Sequence, residues 1–368
     1  MKGSQQNIWL FNKPIDLWLV FLPVWLIWIV CIALPEDIIQ QEVSIWVWLI
    51  FVIGIDVSHV WSTIFRTYAD REEFNNHKIL LISAPLIAFI CFFLISGFSQ
   101  PLFWRVLAYI ALYHFVKQQY GFMRIYKAKA KDFKPKAIKD EWVIYTGMIY
   151  PVIYWHLTDQ RNFSWFVEGD FLNYYHMLSD LPLDTVFLVT NSLYWLFISI
   201  WLVQEIVIKS VFLYGKMFWI LTTAINWYLG IVYFNSSLVF TITNVVAHGI
   251  PYLVLILFYV ERKKEIQSAQ SQSKKRRRLF LRIAAMILIV LILAFGEEYS
   301  WDMLIYRERT WIFEAVLPFP FESFSNRWWQ AFGIALLTVP QATHYIIDGF
   351  IWKSGPKNPH LKSVLMNE

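Results

Sequence analysis

Residues 17–34 read LWLVFLPVWLIWIVCIAL, an unbroken apolar run that contains no charged residue and follows Lys13 and Asp16. A helix that crosses a bilayer needs about 20 predominantly apolar residues. The core of a secretory signal peptide is about 7–15 residues long and is followed by a small-x-small cleavage site. This run is longer and has no such site, so it reads as a first membrane helix. The composition extends that reading to the whole chain. Of 368 residues, 58% are hydrophobic and only 16% are charged, whereas a soluble domain carries roughly a quarter charged residues. Cys31 and Cys91, the two cysteines, both fall inside apolar runs and read as small packing residues, without a disulfide or a thiolate metal site.

Ten segments have the length and apolarity to be spans: 15–35, 43–66, 78–98, 101–125, 141–157, 185–208, 213–234, 237–260, 279–296 and 328–351. The predicted fold class is therefore all-α, a single polytopic transmembrane helix bundle over residues 1–368. The connecting segments orient it, because cytoplasmic loops carry the excess of Lys and Arg. Segment 127–140, KAKAKDFKPKAIKD, holds six lysines, and segment 261–278, ERKKEIQSAQSQSKKRRR, holds eight basic residues. Segments 158–184 and 297–327 hold five and six acids against one and three arginines. With both termini in the cytoplasm, the two basic loops fall inside and the two acidic loops outside. The run KKRRR then reads as a topology anchor that attracts anionic lipid headgroups, and no nucleic-acid partner is expected. The aromatic stretch FSWFVEGDFLNYYHML in 158–184 is expected to lie on the membrane surface.

Ionisable groups inside spans cost about 2.5–3.5 kcal/mol each at mid-helix and mark function or interhelical contact. Asp56 and His59 fall in the second expected span, and His114 and Gln118 in the fourth. Asn244 and His248 fall in the eighth, and His344 and Asp348 in the tenth. Each pair is spaced i,i+3 or i,i+4, so both members share one helix face. On the topology above, the four histidines occupy one layer, roughly 10–18 Å from the cytoplasmic boundary at the helical rise per residue. His77 falls in an inner loop, His156 and His176 outside, and His360 in the tail.

A lone histidine in a span is usually an interhelical hydrogen-bonding group worth about 1 kcal/mol. Four at one depth point to a transition metal, since imidazole suits iron, copper, zinc and nickel. The expected ligands are His59, His114, His248 and His344. Asp56 and Asp348 are ligands or the partners that orient them, with Gln118 and Asn244 behind. Glu205 reads as a boundary residue. Arg66, Lys117 and Arg124 read as side chains that snorkel to lipid phosphates.

With DVSHVW, YHFVKQQYG and HYIIDGFIWK in view, the chain resembles histidine-rich multi-pass bacterial membrane proteins. More distantly, it resembles the Brp/Blh carotenoid dioxygenases, although DVSHVWS stands where those carry Gly-x-x-His-Gly-x-x-Asp. That resemblance implies a non-haem iron held by His59, His114, His248 and His344, an oxygenase-type reaction on a lipid or isoprenoid, and a bacterial inner membrane. The HxxxH, HxxHH and HExxH boxes of desaturases and zinc proteases are absent from the sequence. Two other readings stay open. AHGIPY could serve a membrane-bound acyltransferase with His248 as general base, or the polar layer could be the pathway of a metal or proton transporter.

Overall fold

The computed structural model describes residues 8–41, 43–133, 135–159, 161–178, 180–207, 212–267, 275–316 and 326–366. Among them the chain is helical and has no strand. Helices occupy all ten expected segments: α1 (Lys13–Ala33), α2 (Ile45–Arg66), α3 (Lys78–Phe98), α4 (Gln100–Lys129) and α5 (Asp140–Leu157), then α6 (Leu183–Val207), α7 (Tyr214–Trp227), α8 (Ser237–Gln267), α9 (Lys275–Trp301) and α10 (Arg327–Ile351). Six of them, α1, α2, α3, α6, α8 and α9, are long and apolar enough to cross a membrane. Their outward faces agree with that. α6 exposes Leu188, Leu193, Leu196, Val203 and Val207 and buries Tyr194, Trp201 and Glu205, an inversion that suits lipid as the solvent.

The expected loops begin inside helices. α9 passes through Glu297 and Glu298 and continues as a π-helical turn over Asp302–Tyr306. The Trp61 indole donates to Glu297 Oε2 at 2.6 Å. The basic segment 261–278 is helical to Gln267 and again from Lys275. Its residues 268–274, and residues 317–325 of the acidic segment 297–327, lie outside the described residues. Segment 127–140 starts in the last turn of α4.

Two compact units are distinguished by their internal contacts. One comprises the chain up to Val47 together with Leu112–Pro251. In it α5 and α7 approach closely at Gly147, where an added Cβ would sit 3.0 Å from Ala224 Cβ. The Trp28 indole donates to Asn226 Oδ1 at 2.9 Å, so Asn226 ties helices together. The aromatic loop packs onto this unit. Asp170 Oδ2 accepts the N–H groups of Trp165 and Phe166 at 2.9 and 2.7 Å. Phe163 stacks on Trp155 and Phe240, with centroids at 4.7 and 4.4 Å. The other unit comprises Trp48–Ala111 and the chain from Tyr252 onward. There α3 packs along α10 through Leu81, Ala84 and Ile347, with Phe74 against them.

Prolines inside α3, α5 and α8 show how the sequence keeps broken helices stable. A proline at position i removes the N–H that the carbonyl at i−4 would accept, and inside a bilayer another group must take its place. Pro85 orphans Leu81, whose carbonyl accepts from the Tyr68 hydroxyl at 2.8 Å. Pro151 orphans Gly147, whose carbonyl lies 3.3 Å from the Tyr194 hydroxyl. Pro251 orphans Ala247, whose carbonyl accepts from Gln119 Nε2 at 3.2 Å. Gln119 Oε1 in turn accepts from Thr223 at 2.9 Å. Gln119→Leu is therefore expected to cost about 1–3 kcal/mol, the range for a buried acceptor left unpaired. A thermal melt in detergent checks this against the exposed control Gln267→Leu. Equal midpoints would show that Ala247 is satisfied in some other way.

Two charged residues near span ends are held inside the protein, and one of them overturns an expectation. Arg66 does not snorkel: it is 0% exposed. Its guanidinium pairs with Glu73, donates to Ile351 O and Asn358 Oδ1 at 3.1 Å each and lies 4.0 Å above the Tyr259 ring. Glu73 belongs to the short helix Arg71–Asn76, which Asp70 caps, so the chain provides its own counter-ion where lipid was expected to. Glu205, near the end of α6, also finds its counter-ions within the chain. It is 1% exposed and pairs with Lys216 and Lys136 at 2.7 and 3.0 Å.

Candidate metal centre

α2 and α10 bring two of the expected ligands together. The rings of His59 and His344 are 5.0 Å apart at 80°. A π-helical stretch, Trp48–Val57, leads into the turn that carries His59; such wide turns concentrate at functional sites. Both histidines are 1% exposed. Asp56 Oδ1 stands 3.5 Å from His59 Nδ1, one helical turn back. That distance is an electrostatic contact, too long for a good hydrogen bond.

His344 carries a longer chain of contacts. Its Nδ1 lies 2.8 Å from Thr63 Oγ1. Thr63 Oγ1 lies 3.0 Å from the Tyr252 hydroxyl, which donates to Asp348 Oδ1 at 2.5 Å. The Trp352 indole donates to the same oxygen at 3.3 Å. With Asp348 ionised, the single proton of each hydroxyl sets the direction of the chain. Tyr252 gives its proton to the carboxylate and accepts from Thr63, and Thr63 accepts from His344 Nδ1–H. The network thus assigns the tautomer of His344 and makes Nε2 its lone-pair nitrogen. Asp348 stands at the far end of the chain and reaches the histidine through two hydroxyls.

α4 and α8 position the other two ligands. His114 and His248 have ring centroids 5.1 Å apart at 79° and are 4% and 1% exposed. Phe115 stacks flat on the His248 ring at 3.7 Å and 5°. Trp165, from the aromatic loop, packs its edge against Phe115 at 4.9 Å. Gln118 Nε2 donates to the backbone carbonyl of His248 at 3.2 Å, beside the Gln119 bond at the next carbonyl. Gln118 therefore fixes the backbone that presents His248. Asn244 donates to Phe240 O of its own helix at 2.9 Å and lies against Gly230.

The four buried histidines form one group: His59, His114, His248 and His344 each offer one ligand atom, and these atoms all lie within 4.8 Å of one another. They could hold a metal ion. The donor set is four neutral imidazoles, which suits a borderline transition metal and not the all-oxygen sites of magnesium or calcium. The remaining histidines are placed elsewhere. His77 Nε2 bonds Asn358 Oδ1 at 2.9 Å, and His360 Nε2 bonds Glu72 Oε1 at 2.8 Å. His156 Nδ1 bonds Val152 O of its own helix at 2.7 Å. The side chain of His176 is 86% exposed.

Sequence reasoning passed over Thr63, Tyr252 and Phe115. A signal for two of them was present, since Thr63 follows His59 and Tyr252 follows His248 by four residues, as Gln118 follows His114 and Asp348 follows His344. The chain matches no protein-family model, no curated protein and no solved structure.

Proposed function

We propose that this protein is an enzyme of the bacterial inner membrane that binds one transition metal, by preference iron, at His59, His114, His248 and His344, and acts as an oxygenase on a lipid or isoprenoid. In this reading the chain crosses the bilayer ten times with both termini in the cytoplasm, a topology that the distribution of basic residues supports. The observation that carries the reading is the buried four-histidine group.

A divalent ion on four neutral ligands keeps its full charge, and an uncompensated buried charge is costly. Asp56, beside His59, and Asp348, at the end of the Thr63–Tyr252 chain, supply two negative charges one step out from the ligands. That accounts for carboxylates next to histidines that do not themselves need to ligate. Iron with open coordination positions would supply the activation of O₂. The protein's part is to hold the imidazoles in register, to keep the His344 proton on Nδ1 and to exclude water behind Phe115 and Trp165. The substrate class rests on the apolar surroundings and on the resemblance to carotenoid dioxygenases.

The test is the metal content of detergent-purified protein by mass spectrometry, followed by O₂ uptake on addition of lipids and carotenoids. The expected result is near-stoichiometric iron, unchanged in His176→Ala, together with substrate-dependent uptake. Well-folded protein that takes up no metal after anaerobic reconstitution would overturn the metal reading. Bound metal accompanied by metal flux in sealed vesicles, without O₂ uptake, would replace the enzyme with a transporter.

A further inference from the structure

The basic segment 127–140 does more than carry charge. With the end of α4 and the first turn of α5, its described residues line an open cavity of about 460 Å³, within the size range of small-ligand sites. Among the described residues, four cations line the cavity, Arg124, Lys127, Lys136 and Lys139, together with one carboxylate, Glu141. Lys127 and Lys136 form the floor, with side chains 8% and 9% exposed. Burial opposes the charge on Lys136, but its neighbours, Asp140 first and Asp132 with it, outweigh this and raise the ammonium's pKa. Lys136 also pairs with Asp132 and Glu205 at 2.9 and 3.0 Å.

The rim differs from the floor. The Arg124 side chain is 47% exposed, and Lys139 is exposed with its ammonium 5.2 Å over the Trp142 ring. Glu141 Oε1 takes both Arg124 and Lys127, at 3.2 and 2.8 Å, and so sits where an external anion would. Phe133 and Trp142, 59% and 51% exposed, stand at the mouth. Aromatic rings exposed beside cations are the pattern of the bilayer's interfacial zone. Lys216, behind the floor, pairs with Asp132, Asp140 and Glu205. Among the described residues the cluster then has five cations, Arg124, Lys127, Lys136, Lys139 and Lys216, against four carboxylates, Asp132, Asp140, Glu141 and Glu205. One positive charge is in surplus, and a phosphodiester brings one negative charge.

We propose that this cavity binds the phosphodiester headgroup of an anionic phospholipid of the cytoplasmic leaflet, with Arg124 and Lys139 on the phosphate and Phe133 and Trp142 along the glycerol and upper acyl chain. The assignment of leaflet rests on the topology proposed above. The site itself is independent of the four histidines.

Native mass spectrometry of the full-length protein released from nanodiscs of phosphatidylglycerol and phosphatidylcholine tests this. Wild type is expected to retain one phosphatidylglycerol, selected over phosphatidylcholine. Arg124→Ala/Lys139→Ala should lower that occupancy about tenfold or more, since it removes two charge-assisted contacts. Glu141→Gln, which withdraws the internal competitor but keeps its shape, should raise it several-fold. Equal retention by wild type and the double variant would overturn the site. So would displacement of the lipid by millimolar inorganic phosphate or glycerol 3-phosphate, which would make a soluble phosphate the ligand. Metal content measured on the same samples is expected to stay constant, so failure here and failure of the metal reading are distinguishable.

Discussion

Alanine in place of His344 is expected to bring the metal content of the purified protein from near one ion per chain to about a tenth of that or less. The magnitude follows from a bound on weaker changes: losing a partner that merely orients a ligand typically costs 10–100-fold in metal affinity. Losing the ligand itself must cost at least as much. His344 is the variant chosen because one of its ring nitrogens has a defined partner. It is 1% exposed and its Nδ1 is committed to Thr63, so the nitrogen removed is the one assigned to the metal. Wild-type metal content in a folded His344→Ala protein would sink the four-histidine assignment. His176→Ala provides the background, since its side chain is solvent-exposed.

Intermediate effects should follow along the chain from His344 to Asp348. Thr63→Val keeps the shape and breaks both hydroxyl contacts, and Tyr252→Phe removes the proton that Asp348 accepts. Each is expected to weaken metal binding by roughly 10–100-fold without abolishing it. Wild-type affinity in both variants would leave the histidine group standing and remove the tautomer argument.

The positions of the helices in the ten expected segments were legible because long apolar runs have few other uses, and six of these helices are long and apolar enough to cross a membrane. The four histidines were legible for a related reason, since an imidazole in an apolar run needs a partner and four at one depth share the need. Thr63 and Tyr252 were less visible. A threonine in WSTIF and a tyrosine in GIPY pass as ordinary packing residues until their i,i+4 relation to His59 and His248 is noticed. The fates of Arg66 and Glu205 could not be read, because their counter-ions come from other helices. Arg66 finds Glu73 on a short helix beyond α2, and Glu205 finds Lys216 at the start of α7. Hydropathy reports how far a charge lies from the end of a run and is silent about which opposite charge folding brings beside it. The aromatic loop hid its role in the same way. Its inward turn depends on Asp170 accepting backbone N–H groups from Trp165 and Phe166, a local device that composition does not reveal.

Lys216→Met is expected to destabilise the protein by about 3–5 kcal/mol, the range for breaking a buried ion pair from one side. Lys216 is 1% exposed, and its ammonium touches three carboxylates: Glu205 at 2.7 Å, Asp132 at 2.8 Å and Asp140 at 3.1 Å. Methionine fills much the same volume, so the loss isolates charge from packing. Lys136 would remain beside all three carboxylates, and Lys127 beside Asp140 at 3.2 Å. The effect should shrink when the opposing charge is also withdrawn. In the double variant Lys216→Met/Glu205→Gln, part of the lost stability returns, and contacting charges of this kind couple by about 0.5–3 kcal/mol. Thermal melts of the four proteins in one detergent complete the cycle. Strictly additive losses would mean that Lys216 and Glu205 are stabilised separately, and a wild-type melt for Lys216→Met would remove the buried charge cluster as an element holding α6 and α7 to the 132–140 segment.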